Sequence, residues 1–266
     1  MLIIAQISVG IFYSCLKSFS FPHNFYIQNK FFVFFENIII NSCYNVIDHM
    51  KVFGTDYDGV IINIEPQKAK AFGALLEKEW GVDKNEAARY WIEKGGTSRK
   101  YKFDYFYEKR FGKKLNDSDY KKIEKTFSKI LKTEFYPKIK LLPGALNLLK
   151  FARSNFDYMF VSSGIPTEEL QYLIDLNNLS HYFDLILGTN KKYDSKKDHF
   201  KKVITGQKPE LIIYASDGVE DMKIAKEFDV FSIGIPTNHS KEELLIAGAN
   251  KVCDLSGIIN LIKNEL

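Results

Sequence analysis

From Lys51 onward, apolar runs that resemble β-strands alternate with amphipathic helix patterns. Most of these runs are continuously apolar rather than alternating, which is typical of strands buried on both faces of a sheet. The strand candidates are VFGTD (52–56), FDYMFVSS (156–163), FDLILGT (183–189), ELIIYASD (210–217) and VFSIGI (230–235), with a short one at 251–253. This alternation predicts an α/β fold with a Rossmann-like, doubly wound parallel sheet.

The interval between the first and second strand candidates contains only helix patterns. Apolar residues recur at helical spacing early in this interval, as at Phe72, Leu76 and Trp80, and again late in it, as at Ile123 and Phe127. We therefore expect an all-helical insertion at residues 67–138, whereas residues 50–66 and 139–266 form the Rossmann-like core.

Residues 1–49 differ in composition from the rest of the chain, because they are rich in Phe, Ile and Asn and contain only four charged side chains. No basic residue precedes the first apolar run, as a signal peptide would require. Lys17 and Lys30 divide the region into pieces too short to span a membrane. We expect an N-terminal extension of uncertain status, with the functional chain opening at Met50, and a membrane-anchored protein is the less favoured alternative.

Composition limits the function classes. The chain has 266 residues, of which 45% are hydrophobic, enough for a sizeable core. Its net charge of +4 comes from 37 basic and 33 acidic residues scattered along most of the chain, so nucleic-acid binding is not expected. The three cysteines are far apart and form no zinc or disulfide pattern, which favours a cytoplasmic protein. The oligomeric state is not encoded in any pattern we recognise.

Polar side chains follow the ends of the predicted strands. They are Asp56 and Asp58 after the first strand, Ser162, Ser163 and Gly164 after the second, Lys191, Lys192, Lys196 and Lys197 after the third, and Asp217 and Asp221 after the fourth. The carboxyl ends of parallel strands meet at one edge of a sheet. Carboxylates gathered there would repel one another without a cation, and oxygen ligands favour Mg²⁺. A lysine and a serine hydroxyl at the same edge would suit a phosphate group.

Each of these features has a simpler interpretation when it is taken alone. Asp58-Gly59 is a common turn dipeptide, and the Ser162–Gly164 segment is more often a loop than a site. The lysines could cover a solvated helix face, and acidic residues often open a helix, as at Asp217 and Asp221. The occurrence of all four features at strand ends, in this order, favours a single site.

The segment Asp56-Tyr57-Asp58-Gly59-Val60 resembles the first motif, D-x-D-G-[TV], of the haloacid dehalogenase superfamily of hydrolases. Ser162 matches the second motif and Lys196 the third, with Lys197 as the alternative. Asp217 and Asp221 match the fourth motif, although Ser216 replaces its usual glycine. The resemblance covers the chain from Met50 to its end, and the helical insertion falls where the cap of the phosphoglycolate phosphatase and β-phosphoglucomutase branch lies.

The resemblance implies a Mg²⁺-dependent phosphatase acting on a small phosphorylated metabolite. Asp56 would be the nucleophile that forms an aspartyl-phosphate, and Asp58 the general acid and base. The metal site would comprise Asp56, Asp58 through its backbone carbonyl, Asp217 and Asp221. Ser162 and Lys196 would bind the phosphoryl oxygens, with Ser163 and Gly164 lining the substrate site beside them.

The insertion contains Gly95-Gly96-Thr97-Ser98-Arg99, which resembles the substrate-specificity loop of this branch, so Arg99 is expected either to reach a substrate anion or to lie on the surface. Three alternatives remain open. A phosphomutase shares every core motif, a phosphonatase would need a lysine of the insertion, such as Lys94 or Lys100, and a non-catalytic module could keep the fold.

Overall fold

The computed structural model describes residues 50–95 and 97–265. Six strands form one parallel sheet in the order β3-β2-β1-β4-β5-β6. The strands are β1 (Lys51–Thr55), β2 (Tyr158–Pro166), β3 (Leu185–Thr189), β4 (Leu211–Ser216), β5 (Phe231–Gly234) and β6 (Lys251–Val252). The predicted α/β class and parallel sheet are confirmed, and strand ends differ from the prediction by three residues or fewer.

Within the described residues, every named element between β1 and β2 is a helix, and Ile62 forms isolated bridges with Asp58 and Leu141. Four α-helices come first: α1 (Glu65–Trp80), α2 (Lys84–Glu93), α3 (Arg99–Phe111) and α4 (Asp117–Ile130). A π-helical turn (Leu131–Phe135) and a 3₁₀ turn (Tyr136–Lys138) lead back to the sheet. The remaining helices are α5 (Ala145–Asn155), α6 (Thr167–Leu176), α7 (Lys196–Gln207), α8 (Val219–Glu227), α9 (Lys241–Ala247) and α10 (Ile258–Glu265), with a 3₁₀ turn at Ser180–Tyr182.

Burial on both faces explains why the strand sequences are continuously apolar. In β1, Val52 and Phe53 are both fully buried, but they belong to two different hydrophobic clusters on opposite faces of the sheet. Because successive side chains of a strand point to opposite faces, a central parallel strand needs apolar residues at every position. The strand β1 lies at the centre of the sheet, between β2 and β4.

The register of the three central strands brings their carboxyl ends to the same edge. Thr55 of β1 lies opposite Val161 of β2 and Ala215 of β4. The residues that follow these three positions are Asp56, Ser162 and Ser216. The sheet therefore places the predicted site residues of three distant segments side by side.

The helical insertion has an aromatic core around Phe72, which is fully buried in α1. Its ring packs against those of Trp91, Phe103, Phe106 and Phe127 at centroid distances between 5.0 and 6.1 Å. Tilted and edge-on aromatic pairs of this kind stabilise a core beyond simple area burial. The periodic apolar residues of the insertion thus pack against one another, as their spacing predicted.

Two predicted features fall on residues that the structure does not describe. The N-terminal extension at residues 1–49 and the loop residue Gly96 are not among the described residues. Within the described ranges, no helix combines the length and the apolarity that a membrane crossing requires.

Candidate active site

Asp56 lies directly beyond β1 and is held at the edge of the sheet by its own backbone. Its N–H donates to the carbonyl of Ala215 at 2.8 Å, which continues the pairing of β1 with β4. Its Oδ1 accepts a hydrogen bond from the N–H of Tyr57 at 2.7 Å. The side chain is 10% exposed, and Oδ2 remains directed toward Lys196.

Lys196 connects two of the predicted carboxylates. Its Nζ lies 2.8 Å from Oδ2 of Asp56 and 2.5 Å from Oδ2 of Asp221. Lys196 is the first residue of α7, where Ser195 and Asp198 form a capping box that determines the start of the helix. Lys197, the alternative, instead pairs with Glu227 at 2.5 Å among exposed side chains. Of the two lysines, only Lys196 reaches the strand ends.

The electrostatics of the site reflect crowded, buried carboxylates. Burial raises the pKa of Asp56 well above its ordinary value; Lys196 opposes this shift, and Asp221 and Asp217 add to it. Burial also raises the pKa of Asp217 to about 7, despite a hydrogen bond from Asn238. The Lys196 pKa is raised by the two carboxylates that it contacts, against the opposing effect of its burial. The predicted repulsion between these acids is therefore present in the folded chain.

Asp58 faces the helical insertion rather than Lys196. Its Oδ1 accepts from the N–H of Ile64 at 3.0 Å, and its Oδ2 lies 2.6 Å from Nζ of Lys68 in α1. Burial raises the pKa of Asp58, and Lys68 opposes that shift. The two aspartates of the first motif thus have different partners, Asp56 in the core and Asp58 at the base of the insertion.

Gly59 is required by the turn that separates these two environments. Its φ is +83°, and a Cβ at this position would lie 2.1 Å from Cγ of Asp217. Only glycine adopts this backbone conformation without strain, and only glycine leaves room for the Asp217 carboxylate. The hydroxyl of Thr237 donates to the Gly59 carbonyl at 2.6 Å, which links the turn to the loop after β5.

Two serine residues lie within β2, directly after the last residue that pairs with β1, Val161, and both are buried. Ser162 is fully buried, and its Oγ lies 2.9 Å from Nδ1 of His199. The other ring nitrogen of His199 faces the carbonyl of Gly188 at 3.2 Å, and burial lowers the His199 pKa to about 4. Because a carbonyl oxygen can only accept a hydrogen bond, neutral His199 carries its proton on Nε2. Its Nδ1 therefore accepts a hydrogen bond from the Ser162 hydroxyl group. Ser163 is buried beside it, whereas Gly164 is exposed.

Several residues of the site were missed by the sequence analysis. Asn238 donates to Oδ2 of Asp217 at 2.6 Å, and the His239 ring lies 2.8 Å from the Asp217 carbonyl. Both follow the end of β5, so the strand-end rule could have found them. Lys68 and His199 lie within helices, and no feature of their local sequence distinguishes them from ordinary helix residues.

Arg99 is partly buried, with 13% of its side chain exposed. Its guanidinium forms a two-point contact with Glu169 in α6, in which Nη1 is 3.0 Å from Oε2 and Nη2 pairs with Oε1. Nη1 also lies 3.1 Å from Glu124. Two carboxylates therefore contact the guanidinium for which the sequence left two alternatives, a substrate anion or the surface.

The oxygen atoms of Asp56, Asp58 and Asp217 are candidate ligands for Mg²⁺. In residues 50–95 and 97–265, no three His, Cys, Asp or Glu side chains are grouped so that they could hold a metal by themselves. Mg²⁺ usually takes only one or two carboxylates and keeps several waters. Asp56, Asp217 and the backbone carbonyl of Asp58 supply only oxygen, so these residues fit the ion. Asp221 is engaged by Lys196 and by the hydroxyl of Ser216.

Comparison with known proteins identifies the family. A model of the haloacid dehalogenase-like hydrolases matches residues 55–235. The 2-deoxyglucose-6-phosphate phosphatase 1 of Saccharomyces cerevisiae is 25% identical over 231 residues, which cover 79% of this chain and 89% of the yeast protein.

Solved structures share the fold. A protein of Clostridium acetobutylicum described as a predicted phosphatase superposes with a TM-score of 0.68 and 20% identity, covering 82% of this chain and all of that one. A predicted phosphoglycolate phosphatase of Haemophilus somnus superposes with a TM-score of 0.67 and 16% identity, covering 80% of this chain and 98% of that one. Because the matched family model spans most of the chain and contains all four motifs, the chain belongs to the haloacid dehalogenase-like hydrolase family.

Proposed function

We propose that the protein is a Mg²⁺-dependent phosphatase that hydrolyses a small phosphomonoester through an aspartyl-phosphate on Asp56. The observation that carries this proposal is the arrangement at the carboxyl edge of the sheet. Asp56 lies 2.8 Å from Lys196, and Asp58, two residues later, lies against the insertion. A nucleophile, a phosphate-binding cation and a second carboxyl group are the parts that such a reaction needs.

Asp56 is the nucleophile in this proposal. Its Oδ2 attacks phosphorus, the bond from phosphorus to the leaving oxygen breaks, and an acyl phosphate forms on Asp56. Lys196, held between Asp56 and Asp221, binds the phosphoryl oxygens as their charge redistributes. Asp56, Asp217 and the backbone carbonyl of Asp58 would hold Mg²⁺, which would act as a Lewis acid and offset negative charge on the carboxylate and the phosphate.

Asp58 serves the leaving group. It donates a proton to the departing oxygen and later takes a proton from the water that hydrolyses the acyl phosphate. Its carboxyl group lies at the base of the insertion, 2.6 Å from Lys68 in α1. The helical insertion therefore acts as a cap that excludes water and contacts the leaving group.

Ser162 has a different role from the one that its motif implies. Its hydroxyl proton is directed to His199, so the hydroxyl is not free to donate to a phosphoryl oxygen in this arrangement. We propose that the end of β2, including Ser163 and Gly164, contributes mainly backbone N–H groups to the phosphate, while Ser162 keeps this segment in place.

The experiment that tests the proposal is phosphate release from a panel of small phosphomonoesters with Mg²⁺ and with EDTA. The yeast relative makes 2-deoxyglucose 6-phosphate a first candidate, with phosphoglycolate and glucose 6-phosphate beside it. We expect activity only with the metal, and release of inorganic phosphate rather than an isomerised sugar phosphate distinguishes a phosphatase from a mutase.

Asp56→Asn tests the nucleophile. It should lower phosphate release by at least about 1,000-fold, because the amide cannot form the acyl phosphate. Asp104→Asn, a change at an exposed ion pair of α3, is the matched control and should keep full activity. Retention of more than about a tenth of the activity by a folded Asp56→Asn protein would show that Asp56 is not the nucleophile.

A further inference from the structure

Lys102 is a buried cation that no acidic side chain neutralises directly. It lies in α3 of the insertion, is 3% exposed, and places its Nζ 4.0 Å from the ring centroid of Trp91. The charged groups that influence this ammonium group, Glu65, Lys68 and Arg99, act on its pKa only through their charge, and none of them hydrogen-bonds to it. By contrast, Lys100 and Lys109 of the same helix pair with Asp104 and Glu86 in more exposed positions.

The surroundings of Lys102 connect it to the general acid and base. The indole N–H of Trp91 donates to Oε2 of Glu65 at 2.8 Å, and Oε1 of Glu65 lies 2.7 Å from Nζ of Lys68. The same Lys68 ammonium contacts Asp58 at 2.6 Å. Lys102 is therefore connected through Trp91, Glu65 and Lys68 to Asp58, the residue that serves the leaving group in the proposed function.

The neighbouring charged groups do not neutralise the positive charge of Lys102. Both oxygens of Glu65 are already used, one by Trp91 and one by Lys68. Burial lowers the Lys102 pKa to about 8; Glu65 partly opposes this shift, while Lys68 and Arg99 add to it. A buried ammonium without a paired anion is unfavourable, and an aromatic face compensates it only in part. An incoming anion would restore the balance.

We propose that Lys102 binds a second anionic group, a carboxylate or a phosphate, on the leaving-group side of the substrate. This inference rests on the proposed phosphatase function, because that function defines which side of the ester leaves at Asp58. Arg99 is the weaker candidate for this role, since Glu169 and Glu124 already neutralise it. The protein then prefers a phosphomonoester with an additional negative charge over a neutral one of the same size.

The test compares matched substrates. In the first pair, phosphoglycolate has a carboxylate where 2-hydroxyethyl phosphate has an alcohol. In the second pair, glucose 1,6-bisphosphate has a second phosphate that glucose 6-phosphate lacks. We expect wild type to have the higher kcat/KM for the charged member of at least one pair, which identifies the anion as carboxylate or phosphate. In Lys102→Met the ratio of kcat/KM within that pair should fall by about 10- to 100-fold, the value of a charge-assisted hydrogen bond.

Two further variants isolate the charge at this position. Lys102→Arg keeps a cation and should retain most of the preference, whereas Lys109→Met, on the exposed side of the same helix, should leave the ratio unchanged. Thermal unfolding establishes that each variant is folded. If Lys102→Met does not fold, the ratio of kcat/KM within each substrate pair is compared between wild type and Lys102→Arg. A preference for the charged substrate in both proteins supports the inference, and the lack of a preference in wild type overturns it.

A binding measurement separates this inference from the proposed function. Calorimetry on the Asp56→Asn protein, with and without Lys102→Met, gives the dissociation constants of the same four compounds in the absence of turnover. Tighter binding of a charged member that disappears with Lys102→Met supports the inference even if no phosphate is released by wild type. Equal affinity and equal kcat/KM within both pairs, or a preference that survives Lys102→Met, would overturn it.

Discussion

The contact between Arg99 and Glu169 allows a quantitative prediction about how the insertion is attached to the sheet domain. Arg99 begins α3 of the insertion, and Glu169 lies in the first turn of α6, seventy residues later. Their side chains are 13% and 3% exposed. The hydroxyls of Tyr136 and Ser128 also donate to the Glu169 carboxylate. The pair is thus buried, two-pronged and supported by additional hydrogen bonds.

Removing one partner should be costly. Arg99→Met leaves a buried carboxylate with only hydroxyl donors, and Glu169→Gln leaves the guanidinium with Glu124 alone. Loss of one member of a buried pair typically lowers the free energy of unfolding by about 3–5 kcal/mol. For a domain of this size that corresponds to a decrease in Tm of roughly 6–20 °C. The double variant leaves neither charge unpaired, so it should lose much less than the sum of the two single losses.

A double-mutant cycle measures this coupling. Urea unfolding of the four proteins can be followed by tryptophan fluorescence, because both tryptophans of the chain, Trp80 and Trp91, lie in the insertion. Far-UV circular dichroism reports the whole chain in the same samples. We expect a coupling free energy of at least about 2 kcal/mol. Losses that add within about 0.5 kcal/mol would refute the assignment of a buried pair.

The pH dependence of the same pair has a definite sign. Arg99 and the Tyr136 hydroxyl hold the Glu169 pKa below its ordinary value of 4.5, although burial acts in the opposite direction. A group with a lowered pKa in the folded state stabilises the protein above its unfolded pKa. The contribution of Glu169 should therefore be complete above about pH 4.5 and disappear as the pH falls below it, and Glu169→Gln should remove this part of the acid sensitivity.

Three further predictions concern the strand-end site. Gly59→Ala should abolish phosphate release, because its Cβ would overlap the Asp217 carboxylate at 2.1 Å; a stable, active variant would contradict the required turn. Lys196→Met should lower kcat by at least about 100-fold, whereas Lys197→Met should leave kcat unchanged. Equal effects of the two substitutions would contradict the assignment of Lys196 as the phosphate-binding lysine. Burial lowers the His199 pKa to about 4, so the ring is neutral in the folded protein. The free energy of unfolding should therefore decrease by up to about 3 kcal/mol as the pH falls from 6.5 to 4. In urea unfolding experiments, His199→Gln should remove this decrease.

The fold was predictable because its signals are local. Continuous apolar runs such as the one that begins at Val52 indicate strands buried on both faces, and the structure buries Val52 and Phe53 in separate clusters. The helical spacing around Phe72 likewise predicted the insertion. Strand ends shifted by up to three residues because caps and side-chain contacts determine them, as where the Asp157 carboxylate binds the N–H of Lys51.

The grouping of the site residues was also predictable, because the carboxyl ends of neighbouring parallel strands must meet at one edge. That rule placed Asp56, Ser162 and Asp217 together before any side-chain position was known. It could not choose between Lys196 and Lys197, since adjacent helix residues point in directions about 100° apart, and only the packing of α7 decides which one faces the carboxylates.

Partnerships over long sequence separations required the tertiary structure. Lys196 meets Asp56 across 140 residues, and Arg99 meets Glu169 across 70. Both pairs depend on how helices pack against the sheet, and no local pattern encodes that geometry. For the same reason the motif indicated the candidate site residues, whereas only packing determined that Arg99 is paired with two carboxylates and that Lys102, within the described residues, lies over a tryptophan ring rather than in an ion pair.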